Sequence, residues 1–163
     1  MVSPGMSPDD LIEALLADDV GRVTRWMNDG LLSLEAKDKS GRDLLHQAVS
    51  AGASRLVGAL IAFGIDPRAK NKYGEGALSD AVRAGRVDLI ETLVRAGADL
   101  NETDAKGNTP LHHAILNDSE RTGPMIRELL RLGADKTIRR KTELSAEELA
   151  QGIDNRDYAR FFE

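Results

Sequence analysis

The sequence predicts an all-α solenoid of about five stacked helix pairs, and three equal spacings predict it. Gly41, Gly74 and Gly107 recur at an interval of 33 residues. Leu45, Leu78 and Leu111 keep the same interval, as do Ala48, Ala81 and Ala114. One interval shared by three residue types marks a unit that has been copied and stacked, so function is to be sought on the surface of the stack. The expected organisation is a single domain over 1–163, with an N-terminal cap at 6–35, central units at 36–69, 70–102 and 103–138, and a C-terminal cap at 139–163.

At the front, Ser7-Pro8-Asp9-Asp10 reads as an N-cap, a proline at the first helical position and acidic first-turn residues. Leu11, Leu15 and Leu16, then Val20, Val23, Trp26 and Met27, supply two apolar faces ahead of Gly30. In the central units the repeated glycines stand in short polar turns, where positive φ is free for glycine. Thr109 before Pro110 is a good helix opening. The first and second units have Asp43-Leu44 and Gly76-Ala77 there instead, so both lack the proline and the second also lacks a capping side chain. The small alanines let first helices approach closely. Second helices carry Leu56, Val57, Leu60 and Ile61, then Leu89, Ile90, Leu93 and Val94, then Ile126, Leu129 and Leu130, at helical spacing. Gly64, Gly97 and Gly133 stop them.

The third unit is longer: Ala114 to Leu129 spans 15 residues against 12 from Ala81 to Leu93. The addition is expected as an enlarged loop over 117–123, ahead of Pro124. At the rear, Ser145-Ala146-Glu147-Glu148-Leu149-Ala150 is a degenerate copy in which Glu147 replaces the leucine, fitting a face turned to water. A closing helix from Arg156 to Phe162 is expected, anchored by Tyr158, Phe161 and Phe162.

The third unit runs Asp104-Ala105-Lys106-Gly107-Asn108-Thr109-Pro110-Leu111-His112-His113-Ala114 and ends Leu129-Leu130-Arg131-Leu132-Gly133-Ala134-Asp135. It resembles the ankyrin repeat, whose Thr-Pro-Leu-His-x-Ala signature is matched by Thr109, Pro110, Leu111, His112 and Ala114. The endings Leu93-Val94-Arg95-Ala96-Gly97-Ala98-Asp99 and Leu60-Ile61-Ala62-Phe63-Gly64-Ile65-Asp66 are similar. The resemblance covers residues 36–139 well and the ends more loosely. It implies an ankyrin-repeat solenoid with short β-turn fingers, a histidine that hydrogen-bonds within and between turns, and partners that bind the fingers and the first helices behind them.

Composition narrows the function classes. The 163 residues are 41% hydrophobic and only 4% aromatic, which suits a core of packed aliphatic helices. No run approaches the roughly 18 apolar residues of a membrane span. Met1-Val2-Ser3-Pro4-Gly5 has no leader-like basic or apolar region, so no signal peptide is expected. The lack of cysteine excludes disulfides and thiolate chemistry and fits a cytoplasmic, reducing setting. The formal charge of −5 weighs against broad nucleic-acid affinity, although an average can conceal a local patch.

Catalytic signatures are missing: the sequence has no Gly-x-Ser-x-Gly elbow, His-Glu-x-x-His helix or phosphate-cradling glycine loop. His46 and His112 share one repeat position, but Ser79 fills the intervening site with a poor metal ligand, so a structural role is the better reading. Neither a metal nor a cofactor is expected, and the chain is not read as an enzyme.

The finger tips carry more information. They read Lys37, Lys39 and Arg42; Lys70, Lys72, Tyr73 and Glu75; Lys106 and Asn108; Arg139, Arg140 and Lys141, which is nine basic residues against one acidic. Behind them the floor would include Ser50, Arg83, Leu116 and Asn117. Solvation of exposed turns is one explanation of this row. The preferred one is a positive surface for an acidic partner protein, because all four tips share a sign that mere solvation would not select. In that reading Tyr73 is an amphipathic anchor and Arg83 a bidentate donor. The expected binding set is Lys39, Arg42, Lys70, Lys72, Tyr73, Arg83, Lys106, Asn108, Leu116, Asn117, Arg140 and Lys141. The leading expectation is a monomeric protein-binding module that inhibits by occlusion. A bacterial immunity protein that neutralises a toxin, and a binder of nucleic acid or lipid headgroups, are the alternatives.

Overall fold

Capping chemistry written in the sequence starts the helices. In this computed structural model, which describes residues 6–117, 119–141, 143–152 and 158–162, helix α1 (Pro8–Leu16) opens on Ser7. The Ser7 hydroxyl accepts from the Asp10 amide at 3.2 Å, and the Asp10 carboxylate accepts from the Ser7 amide at 2.8 Å. Helix α2 (Val20–Asn28) is capped by Asp19 and α3 (Leu44–Ala51) by Asp43, whose carboxylate accepts from the His46 amide at 3.1 Å. Thr109 and His112 cap each other at the start of α7 (Pro110–Leu116).

The second unit, which lacks a capping side chain before its first helix, supplies one from its far end. Helix α5 (Ala77–Arg83) begins at Gly76, whose amide donates to Glu102, the last residue of that unit, at 3.1 Å. Ser79 donates to the same oxygen at 2.9 Å. Helix α4 (Ser54–Ala62) is served from the preceding unit: Asp18 accepts from the amides of Leu56 at 2.8 Å and Arg55 at 3.0 Å. Helix ends are bridged in the same way. Arg86 donates to the Gly52 carbonyl and Arg121 to the Gly85 carbonyl, each at 2.9 Å, at the ends of α3 and α5. Neighbouring units therefore satisfy one another's orphan backbone groups, which makes each junction a hydrogen-bonded as well as an apolar contact.

Helices α1, α3, α5, α7 and α9 (Ala146–Gly152) pack side by side as an inner row. Helices α2, α4, α6 (Val87–Arg95) and α8 (Thr122–Arg131) lie behind them as an outer row. The repeated residues fill the space between: Leu45, Leu78 and Leu111 and the alanines 48, 81 and 114 are each at most 1% exposed. Truncating one of these leucines to alanine should cost about 2–5 kcal/mol. Among the described residues there are nine α-helices and no strand; the fingers hold only isolated bridges, Lys70 with Gly76 and Arg139 with Ser145. None of those helices is long and apolar enough to cross a membrane.

Successive fingers are joined by single backbone bonds at one repeated position. Lys72 donates to the Ser40 carbonyl at 3.0 Å, Ala105 to Tyr73 at 2.9 Å and Lys141 to Lys106 at 3.0 Å. The glycine at each tip makes this approach possible: a Cβ on Gly107, whose φ is +80°, would lie 3.1 Å from the Lys141 nitrogen.

Three expectations are corrected. Leu16 is 71% exposed and Ile12 54%, so α1 buries Ala14 and Leu15 instead, as befits an end with no neighbour. The enlarged loop stops at 121, because Thr122 is buried and starts α8; Gly123 and Pro124 occupy the first turn, where a proline sacrifices no hydrogen bond. The three added residues divide into two in the loop, five (117–121) against three (84–86), and one in a helix of 10 residues against nine. Thirdly, of the expected closing helix the described residues 158–162 form one 3-10 turn, Ala159–Phe161, with Phe162 buried and Phe161 packed near Gly123. Arg156 and Asp157 lie outside the described residues. The aromatic rings anchor this end by packing, which needs no helical register.

Candidate functional site

The first finger, with the fingers and inner helices of the second and third units, lines a concave groove of about 580 Å³. Six of the expected binding residues line it: Arg42, Tyr73, Arg83, Lys106, Asn108 and Leu116. Tyr73 is 60% exposed and Leu116 47%, so the groove presents two large apolar side chains, one from a finger and one from the last turn of α7. Lys39, Lys70, Lys72, Asn117, Arg140 and Lys141 stand outside it. Lys72 and Lys70 remain exposed while reaching to neighbouring fingers, Nζ to the Lys39 carbonyl at 2.7 Å and to the Thr103 carbonyl at 3.0 Å. Asn117 is half-buried, donating to the carbonyls of Val82 and Arg83 at the end of α5.

The floor differs from the sequence expectation. Glu75 is not a tip residue; it is buried beneath Tyr73, with its carboxylate on Arg83 and on Asn71 at 3.0 Å. Arg83 is not a free bidentate donor, because its guanidinium holds Glu75, one of those bonds at 2.8 Å, and Asp80 at 2.6 Å. Asn108 is buried and braces Asp104, donating at 3.0 Å from its side chain and 2.8 Å from its amide. The row is also less one-signed than the tip count suggests. Asp38 folds the first finger and pairs with Arg42 at 2.9 Å, and Asp104 folds the third.

Four groups form the floor: Glu75, which the sequence placed at a tip, and Asp80, Asp104 and His113, which it left without a binding role. Burial tends to raise the Glu75 pKa, but bonds from Arg83 and Asn71 hold it below the usual carboxylate range. Burial likewise opposes ionisation of Asp104, yet the side chain and amide of Asn108 and the Lys106 amide keep its pKa low. At Asp80 burial prevails and the pKa rises despite Arg83, with one oxygen buried and unpartnered. His113 is pushed down by burial, which Asp104 only partly offsets. Its Nε2 lies 3.3 Å from Asp104 Oδ2 but makes no aligned hydrogen bond. The groove is thus a basic rim over an acidic floor, with Tyr73 and Leu116 exposed between them. Signals for the floor were present in sequence: Asp80 and Arg83 stand three apart on a helix, and His113 follows the signature histidine.

His46 and His112 behave as repeat histidines. Each places Nε2 3.2 Å from a carbonyl of the next finger, Glu75 and Leu144 respectively.

Comparison with known proteins agrees with this architecture. The profile of the family described as ankyrin repeats (3 copies) matches residues 9–104 and 45–140. A curated protein of Plasmodium falciparum (isolate 3D7), named as an E3 ubiquitin-protein ligase, is 43% identical over 58 residues. That alignment covers 32% of this chain, which spans about 1% of the relative's length.

Proposed function

We propose that this chain, which belongs to the ankyrin-repeat family, is a non-enzymatic module that binds one partner protein in its concave groove. Repeats of this family generally mediate protein–protein interaction. The observation that carries the reading is the exposure of Tyr73 and Leu116 in one groove, whose rim includes Lys106. An amphipathic ring and a leucine of this kind suit an apolar side chain of a partner, while Lys72 and Lys106 suit acidic residues around it. The fingers are tied to one another by backbone bonds, so little conformational entropy is lost on docking. Acting as a cytoplasmic monomer, such a module would inhibit its partner by occlusion; a toxin met by an immunity protein is one case. Nucleic acid or lipid headgroups suit the groove less well, because Glu75, Asp80 and Asp104 lie under the basic rim.

The test uses Tyr73→Ala/Leu116→Ala beside the unaltered chain as paired baits in the native cell. Both side chains are exposed, so the fold should survive. A protein retained by the unaltered chain, lost by the double variant and bound directly when purified supports the reading. Identical retention by both baits, or retention of polyanions alone, overturns it.

A further inference from the structure

We propose that Glu75, Asp104 and His113 form a binding site for a divalent cation of the zinc class on the floor of the concave groove. One donor atom from each residue lies within 4.8 Å of the other two. The set, one imidazole nitrogen and two carboxylate oxygens, suits zinc and its spectroscopic stand-in cobalt, and leaves a fourth position open towards the groove.

The edges of the cluster support this assignment. Ligand bonds of about 2.0–2.1 Å in tetrahedral geometry place donors about 3.3–3.4 Å apart. His113 Nε2 and Asp104 Oδ2 already stand 3.3 Å apart. Closing the longer edges requires Glu75 to move by at most about 1.5 Å, within the swing of one side-chain torsion.

A second observation comes from the imidazole itself. The His113 Nε2 atom is shielded from solvent and has no hydrogen-bond partner, in a protein whose other two histidines each bond through Nε2 to a carbonyl. A buried imidazole nitrogen facing carboxylates without an aligned bond is costly as it stands. Coordination of a cation would satisfy it.

The surroundings are those of an outer shell. Asn108 and the amides of Lys106 and Asn108 orient Asp104, and Asn71 and Arg83 orient Glu75. Glu75 Oε1 and Asp104 Oδ2 each accept only one of these bonds and keep a lone pair for a metal. Arg83 brings one positive charge, and Asp80 beside it one opposing negative charge. The two ligand carboxylates then match the two charges of the ion. This inference does not depend on the protein-binding reading, and its test involves no partner.

The experiment titrates chelator-treated protein with cobalt(II) and zinc(II) chlorides and follows the visible cobalt bands and the heat of binding. One equivalent should bind, with the strong absorption of a four-coordinate site. His113→Ala and Glu75→Gln should weaken binding by more than about a hundredfold, beyond what losing an outer-shell partner costs. Helical circular dichroism checks that both variants fold. If His113→Ala fails to fold, nitrogen-15 shifts of the imidazoles in the unaltered chain give the answer, because zinc should move the His113 Nε2 resonance and leave those of His46 and His112 in place. Lack of uptake by the unaltered protein, equal uptake by well-folded His113→Ala, or unmoved His113 resonances would overturn the proposal.

Discussion

Glu102 folds back onto the start of its unit's first helix and accepts a hydrogen bond from the Gly76 amide at 3.1 Å, capping it from 26 residues away. The carboxylate is buried, and burial raises its pKa despite the bonds from Ser79 and Gly76. Ionised Glu102 is therefore retained at a cost near neutral pH. Glu102→Gln should keep an accepting oxygen while removing the charge, and should stabilise the fold by about 1 kcal/mol at pH 7. Glu102→Ala should destabilise it by about 1–2 kcal/mol by orphaning Gly76 and Ser79. Urea midpoints decide this; a glutamine variant less stable than the parent would show that the charge itself is favourable.

His46 should make stability depend on pH. Its Nδ1 lies 2.7 Å from Asp43, and its Nε2 meets the Glu75 carbonyl. Burial would lower its pKa, but Asp43, and at longer range Asp80, hold it above the usual histidine value. Burial would also raise Asp43, whose bonds from His46 keep it low instead. A raised histidine gives stability that is complete below about pH 6.5 and is lost as pH climbs through the folded-state value. A lowered aspartate gives stability above about pH 4 that is lost as pH falls through its folded-state value. The stability advantage of the parent over His46→Gln should therefore shrink as pH rises above about 6.5. A constant difference across that range would refute the pairing.

Arg83 should be a stabilising residue before it is a binding one. Arg83→Met leaves Glu75 and Asp80 without their shared cation. Because the side chain is 39% exposed, the cost should be about 1–3 kcal/mol, below that of breaking a fully buried pair. Adding Glu75→Gln and Asp80→Asn should restore most of the loss in thermal unfolding. Persistence of the full deficit would place the role of Arg83 in packing of its stem.

Reversing Lys72 and Lys106 to glutamate should slow association with an acidic partner by about tenfold at low salt and flatten the dependence on ionic strength, with dissociation little changed. Rapid-mixing measurements at two salt concentrations read this directly. Unchanged association would move the contact away from the tips, with the loop over 117–121 as the next candidate.

The stack was legible because one requirement, a small or aliphatic residue between helices, recurs at one interval. Leu45, Leu78 and Leu111 declare it as plainly in letters as in burial. The rim was legible too, since lysines on turns stay exposed wherever the turns point. The floor was not. Whether Arg83 faces a partner or neutralises Glu75 and Asp80 depends on how deep a finger sits above a helix, and sequence spacing does not encode that depth. Glu102 escaped notice for a related reason: it caps Gly76 from 26 residues along the chain, whereas capping motifs are read within one segment. The closing segment was misread because Tyr158, Phe161 and Phe162 suggest helical anchoring, yet three rings can seal an end in a single turn.

The finger-to-finger bonds use the same pair of backbone atoms at each of three junctions, so beyond the tip glycine side-chain identity is irrelevant to that seam. Excising or duplicating a whole unit would let the seam heal wherever the cut fell. The borrowed contacts would not heal so freely, because α4 needs the aspartate that precedes its unit, and α3 and α5 need the arginines that follow theirs. The order of the units is therefore dictated by their side chains, while the main chain alone would accept any order.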